Sequence, residues 1–115
     1  MNIIEIGNSI KSNMFLEETI LQLEKDFLVI GVHFDIEKPI STFNEVLTFT
    51  YHLIEDLYQH DFNKILNFLY RIDLSEESVR LEMQTTSISF TEMLSNMIVK
   101  RELKKVILKN YYTGY

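Results

Sequence analysis

The sequence predicts an all-α fold, a compact bundle of about five helices, on three observations. Gly occurs three times and Pro once in 115 residues. These residues punctuate hairpins and loops, so their scarcity predicts few, long elements. Apolar residues recur at intervals of three and four over most of the chain, the spacing of one helix face. Ser, Thr or Asp precedes several of these runs, where a side-chain oxygen can satisfy the open backbone donors of a helix start. The length fits a single domain, residues 1–115, able to bury roughly two thirds of its unfolded surface. An apolar fraction of 46% with 24% charged residues is globular rather than disordered.

Residues 3–6 are short and β-tolerant, and Gly7-Asn8-Ser9 reads as a turn. From about Asn13 a helix begins, with Leu16, Ile20, Leu23 and Phe27 on one face and Glu17, Glu18, Glu24 and Lys25 elsewhere. Gly31 suits the end of that helix. Between 32 and 37, Val32, Phe34 and Ile36 alternate with His33, Asp35 and Glu37. That is strand periodicity, and it allows a short two-stranded β ribbon with residues 3–6.

After Pro39, Ser41 or Thr42 caps a helix running to about Gln59. Phe43, Val46, Leu47, Leu53, Ile54 and Leu57 form its stripe, and Phe49, Tyr51 and Tyr58 widen it beyond one face. A helix apolar over so much of its circumference belongs near the centre of a bundle. Asp61 stands as N-cap of a helix over 62–71 with Phe62, Ile65, Leu66, Leu69 and Ile72 as its core-facing stripe, and Ser75 as N-cap of one reaching about Gln84. Ser89 and Glu92 have capping-box spacing ahead of a long helix to about Asn110. The connections suit antiparallel neighbours in an up-and-down arrangement.

Charge is distributed unevenly. Residues 1–99 carry six basic and sixteen acidic side chains, a net of −10, while residues 100–115 carry five basic and one acidic, a net of +4. The basic run holds Lys100, Arg101, Lys104, Lys105 and Lys109, followed by Tyr111, Tyr112 and Tyr115. Lys100, Arg101, Lys104, Lys105, Lys109, Tyr111 and Tyr112 are therefore the candidate partner-contact residues. Such cations can meet phosphates, with tyrosines stacking on unpaired bases. They can equally complement the partial negative charge of a helix C-terminus or the acidic remainder of the protein. The overall charge of −6 opposes a dedicated nucleic-acid binder, which is basic as a domain.

Other constellations carry less chemistry. His52, Asp56 and His60 fall on one helix face but span about 12 Å, too far for one ion to touch all three. Arg71 and Asp73 suit either a charged pair or helix capping. Met83, Met93 and Met97 with Phe90 suit either core or an adaptable apolar groove. Without cysteine, a Gly-rich phosphate loop or a nucleophile elbow, the sequence implies no metal, no cofactor and no catalytic group. No apolar run is long enough to span a membrane, and no basic, apolar leader opens the chain.

These observations lead to a non-enzymatic cytoplasmic module for protein–protein interaction, self-associating as a homodimer or binding another protein. On this expectation acidic body and basic tail meet between subunits and separate as salt rises. The alternative is a nucleic-acid-associated regulator contacting phosphates through Lys100 to Lys109.

Overall fold

The apolar periodicities are realised as helices in the computed structural model, which describes residues 12–113. Five helices follow one another among those residues: α1 (Ser12–Val29), α2 (Phe43–His60), α3 (Phe62–Arg71), α4 (Glu76–Thr85) and α5 (Phe90–Thr113). None is long and apolar enough to cross a membrane.

Local chemistry sets most of the helix ends. Thr42 Oγ1 accepts from Glu45 N at 3.2 Å, and Glu45 Oε1 accepts from Ser41 N and Ser41 Oγ, closing a reciprocal cap on α2. The Ser41 hydroxyl and N–H bonds, with that of Thr42, hold the Glu45 carboxyl below its ordinary value. Ser75 caps α4 through Ser78 N, and Ser89 accepts from Glu92 N ahead of α5.

Asp61 departs from expectation, because its side chain makes no capping hydrogen bond. Its backbone sits at φ −158°, ψ 75°, away from the extended geometry of Thr42 and Ser75 that aims a capping side chain at the helix. Asp61 instead joins two helices through its main chain. Its N–H donates to Leu57 O at 2.7 Å and its carbonyl accepts from Lys64 N.

Two helices end in Schellman motifs, in which a residue at positive φ turns the chain back on the last carbonyls. At the end of α1, Gly31 has φ 79° and Val32 N donates to Phe27 O. At the end of α3 the same position is filled by Asp73 at φ 60°, with Asp73 N donating to Tyr70 O and Leu74 N to Leu69 O.

The stripes converge on one core. Leu23 and Phe27 from α1, Val46 and Ile54 from α2, Ile65 and Phe68 from α3, and Leu94 and Ile98 from α5 are fully buried there. Phe68 stacks on Phe27 at 3.9 Å between centroids, Phe27 on Phe34 at 5.6 Å, and Phe34 meets Phe49 edge-on. This aromatic column ties α3, α1, the 30–42 connection and α2 together.

Within that connection the period-two alternation is an alternation of burial. Val32 and Phe34 are buried and Ile36 half-buried, whereas His33, Asp35 and Glu37 face solvent. No strand ladder forms among the described residues. The proposed pairing partner at 3–6 and the turn at 7–9 lie outside them.

Helix α5 is the central element, packed against α1, α2 and α4. It runs antiparallel to α1, since Lys105 reaches Asp26 while Asn110 reaches Glu18. It also runs antiparallel to α2, because Thr91 donates to Glu55 and the groove between these helices matches Asn44 and Leu47 with Ser95 and Asn96. Helices α1 and α2 therefore point the same way. This corrects the simple up-and-down order: the 30–42 connection is long enough to carry the chain back along α1 before α2 starts.

Candidate interaction surfaces

The basic run divides into inward-facing and outward-facing residues. Lys105 points into the seam between α1 and α5, where Nζ lies 3.0 Å from Asp26 Oδ2 and 3.1 Å from Glu102 Oε1. Arg101 donates from Nε to Ile72 O at 2.8 Å, and its Nη2 lies 3.7 Å from Asp73. It thus closes the C-terminal end of α3. Lys100 and Lys104 face solvent with no ion pair or hydrogen bond among the described residues. Lys109 and Tyr111 are exposed near the end of α5 and each has an interaction partner. The side chains of Tyr112 and Tyr115 lie outside the described residues.

Asp26 is the hub of the inward group. Only 1% exposed, it accepts from Gln22 Nε2 at 2.9 Å, Arg71 Nε at 3.2 Å and Lys105 Nζ at 3.0 Å. Burial by itself would raise its carboxyl. Hydrogen bonds with Glu102, Gln22 and Lys105, and the Lys105 charge, outweigh that and hold it at about 2. Glu102 moves the other way. Burial first, then its hydrogen bond with Asp26 and the Asp26 charge, push it up to about 8 against the pull of Lys105. Burial and the Asp26 charge thus favour the protonated form of Glu102 at neutral pH, and neither of its oxygens accepts an aligned hydrogen bond. Arg71 and Asp73 are accordingly not partners of each other. Arg71 binds across to α1, and Asp73 faces Arg101.

The sequence reasoning missed this cluster. Asp26 follows Leu23 by three residues and Glu102 follows Ile98 by four, so each acid sits on the buried stripe of its own helix. An ionisable residue on an apolar stripe was the available sign.

A second feature is the outer face of α3. Phe62, Leu66 and Tyr70 recur every four residues along it, all exposed, with Tyr70 at 90%. Asn63 and Asn67 lie between them, so this face carries no charge. Both charged residues of α3 are turned toward α1. Arg71 reaches Asp26, and Lys64 Nζ sits 3.8 Å from the position a Gly31 Cβ would occupy. At the Phe62 end, Tyr58, Phe62, Met83 and Phe90 line an open concavity of about 540 Å³, with Tyr58 edge-on to Phe62 at 5.7 Å. Leu81 and Met83 extend the exposed apolar surface onto α4.

The four residues that suited either core or one adaptable groove are therefore divided. Met83 and Phe90 line that concavity, whereas Met93 and Met97 line a separate groove of about 330 Å³ between α4 and α5, beside Lys100, Arg101 and Lys104. His52, Asp56 and His60 share an exposed face, with His60 Nε2 3.7 Å from Asp56 Oδ1. No group of three or more His, Asp or Glu side chains among the described residues is arranged to hold a metal ion.

Comparison with protein-family models, curated proteins and solved structures returned no match, so geometry alone carries the functional reading.

Proposed function

We propose that the protein is a non-enzymatic interaction module that associates with itself as a symmetric dimer through the outer face of α3. The observation that carries this reading is the charge-free, aromatic character of that face on a chain of net charge −6. Interface centres are depleted in charge and enriched in Tyr, Phe and Met. In a two-fold interface each surface meets its own copy, so an uncharged strip avoids setting like charges against each other.

The spacing of the strip also suits a two-fold pairing. An antiparallel α3–α3 pairing centred on Leu66 sets Tyr70 of each copy over Phe62 of the other. The most exposed ring of the strip then enters the concavity lined by Tyr58, Phe62, Met83 and Phe90. A stable interface needs about 800 Å² from each partner, and the exposed Leu81 and Met83 supply surface beyond the strip.

Internal pairing of Arg101 and Lys105 removes two cations from any tail-to-body contact between subunits. Association through an uncharged face is then expected to persist or tighten as salt screens repulsion between two acidic bodies. Phosphate contact through the basic run is the weaker reading for the same reason.

Replacing the centre of the strip tests the proposal. Leu66→Asp opposes two carboxylates across the axis, so it should yield a monomer in sedimentation equilibrium at concentrations where the parent dimerises. Its far-UV circular dichroism should be unchanged, because Leu66 is exposed. A Leu66→Asp protein as dimeric as the parent would rule out this face.

A further inference from the structure

We infer that the groove between α4 and α5 is a docking site for an acidic amphipathic segment of a partner protein, separate from the self-association face. Its apolar floor is made by Leu74, Met93 and Met97. Met93 is buried and the other two are half-buried. Methionine side chains adapt to irregular apolar partners, and a cavity of about 330 Å³ accepts one or two large side chains. Along the α5 edge stand Lys100 and Lys104, one helical turn apart, exposed and without internal partners among the described residues. Arg101 also lines the groove but is already held by Ile72 O and Asp73.

Charge complementarity selects the occupant. Residues 1–99 sum to −10, so an acidic segment is repelled over most of the surface and attracted where Lys100 and Lys104 create a local positive edge. Apolar side chains spaced for one helix face would fill the floor, as in helix-in-groove recognition. Glu82 on α4 also lines the groove, which favours a segment whose acids lie toward α5. Nucleic acid fits less well, since the groove has no aromatic ring on which a base could stack.

The test uses the full chain as bait against a displayed library of random peptides of helix-forming length. Enriched peptides are then synthesised and titrated by fluorescence anisotropy, with a single-stranded oligothymidine as a parallel probe. The expected result is enrichment of net-negative peptides with apolar residues three and four apart. Their affinity should fall about tenfold or more in a Lys100→Glu/Lys104→Glu variant and weaken with salt. Both lysines are exposed, so an unchanged thermal melt verifies that the variant is folded. In a sample carrying 13C-methyl methionine, addition of peptide should shift the Met97 resonance. The Leu66→Asp variant should bind these peptides as the parent does, which separates this site from dimerisation. Absence of enrichment, enrichment of neutral or basic peptides, or affinity indifferent to charge reversal would overturn the proposal. So would tight oligothymidine binding lost in the double variant with no acidic peptide selected, which would point to phosphate recognition.

Discussion

Replacing Glu102 by Gln should stabilise this protein, and by an amount that grows with pH. Glu102 is fully buried, and its carboxyl is raised from its ordinary value of 4.5 to about 8. The folded chain holds this proton where the unfolded chain releases it. Stability contributed by the protonated group is thus complete below pH 4.5 and is lost progressively toward pH 8. At pH 7, keeping the proton costs about 3 kcal/mol, from roughly two and a half pH units at about 1.36 kcal/mol each. Glutamine keeps the shape of the neutral acid, and its amide can donate to Asp26 in place of the carboxyl proton, without that cost. Urea denaturation of parent and Glu102→Gln, followed by far-UV circular dichroism, should show a gain of about 3 kcal/mol at pH 7. The gain should fall below about 1 kcal/mol at pH 5 and vanish near pH 4. A variant no more stable than the parent at pH 7, or a difference that does not change with pH, would refute the reasoning. Glu102 would then be ionised and held by Lys105 as an ordinary buried ion pair.

The same cluster sets the acid limb with the opposite sign. Asp26 is held at about 2 against an ordinary value of 3.8, so its contribution of about 2 kcal/mol is present above pH 3.8 and lost as pH falls through 2. Denaturation midpoints across pH should therefore peak near pH 4 as far as these two groups decide. Asp26→Asn should cost about 3 kcal/mol at pH 7, the low end for a broken buried pair, since Arg71 and Lys105 side chains are 38% and 29% exposed and can turn to water. Thermal melts should show Asp73→Gly stabilising by about 0.5–1 kcal/mol, because Asp73 sits at φ 60° where glycine alone is unstrained. Gly31→Ala should cost about 1 kcal/mol at φ 79°, although the space for its Cβ is open apart from Lys64 Nζ at 3.8 Å.

The helices were legible because each carries its own evidence. Leu23 and Phe27, or Ile65, Leu69 and Ile72, are buried where their spacing put them, whereas Phe62 and Leu66 of the same predicted stripe are exposed because no helix among the described residues covers that side of α3. Thr42, Ser75 and Ser89 cap where short oxygen-bearing side chains precede a stripe. Asp61 shows the limit of that reasoning, since residue type gives the capacity to cap and backbone angles decide whether it is used. The parallel course of α1 and α2 was hidden because periodicity tells which face is apolar, not which helix will cover it. The basic run was legible as a sum of charges, but a sum has no direction. Lys105 turns inward because Asp26 and Glu102 occupy buried positions on α1 and α5, and that requires knowing the pairing of the two helices. The α3 face was missed for a related reason. Its absence of charge is created by Lys64 and Arg71 both turning toward α1, which the sequence of α3 alone does not state.

Sedimentation equilibrium of the unmodified chain, from low to high micromolar concentration at low and at high salt, tests the central claim of self-association through α3 most directly. The expected result is a monomer–dimer equilibrium whose dimer fraction rises with concentration and holds or increases at high salt. A single monomeric species at every concentration and salt, or a dimer that dissociates as salt rises, would contradict association through an uncharged face.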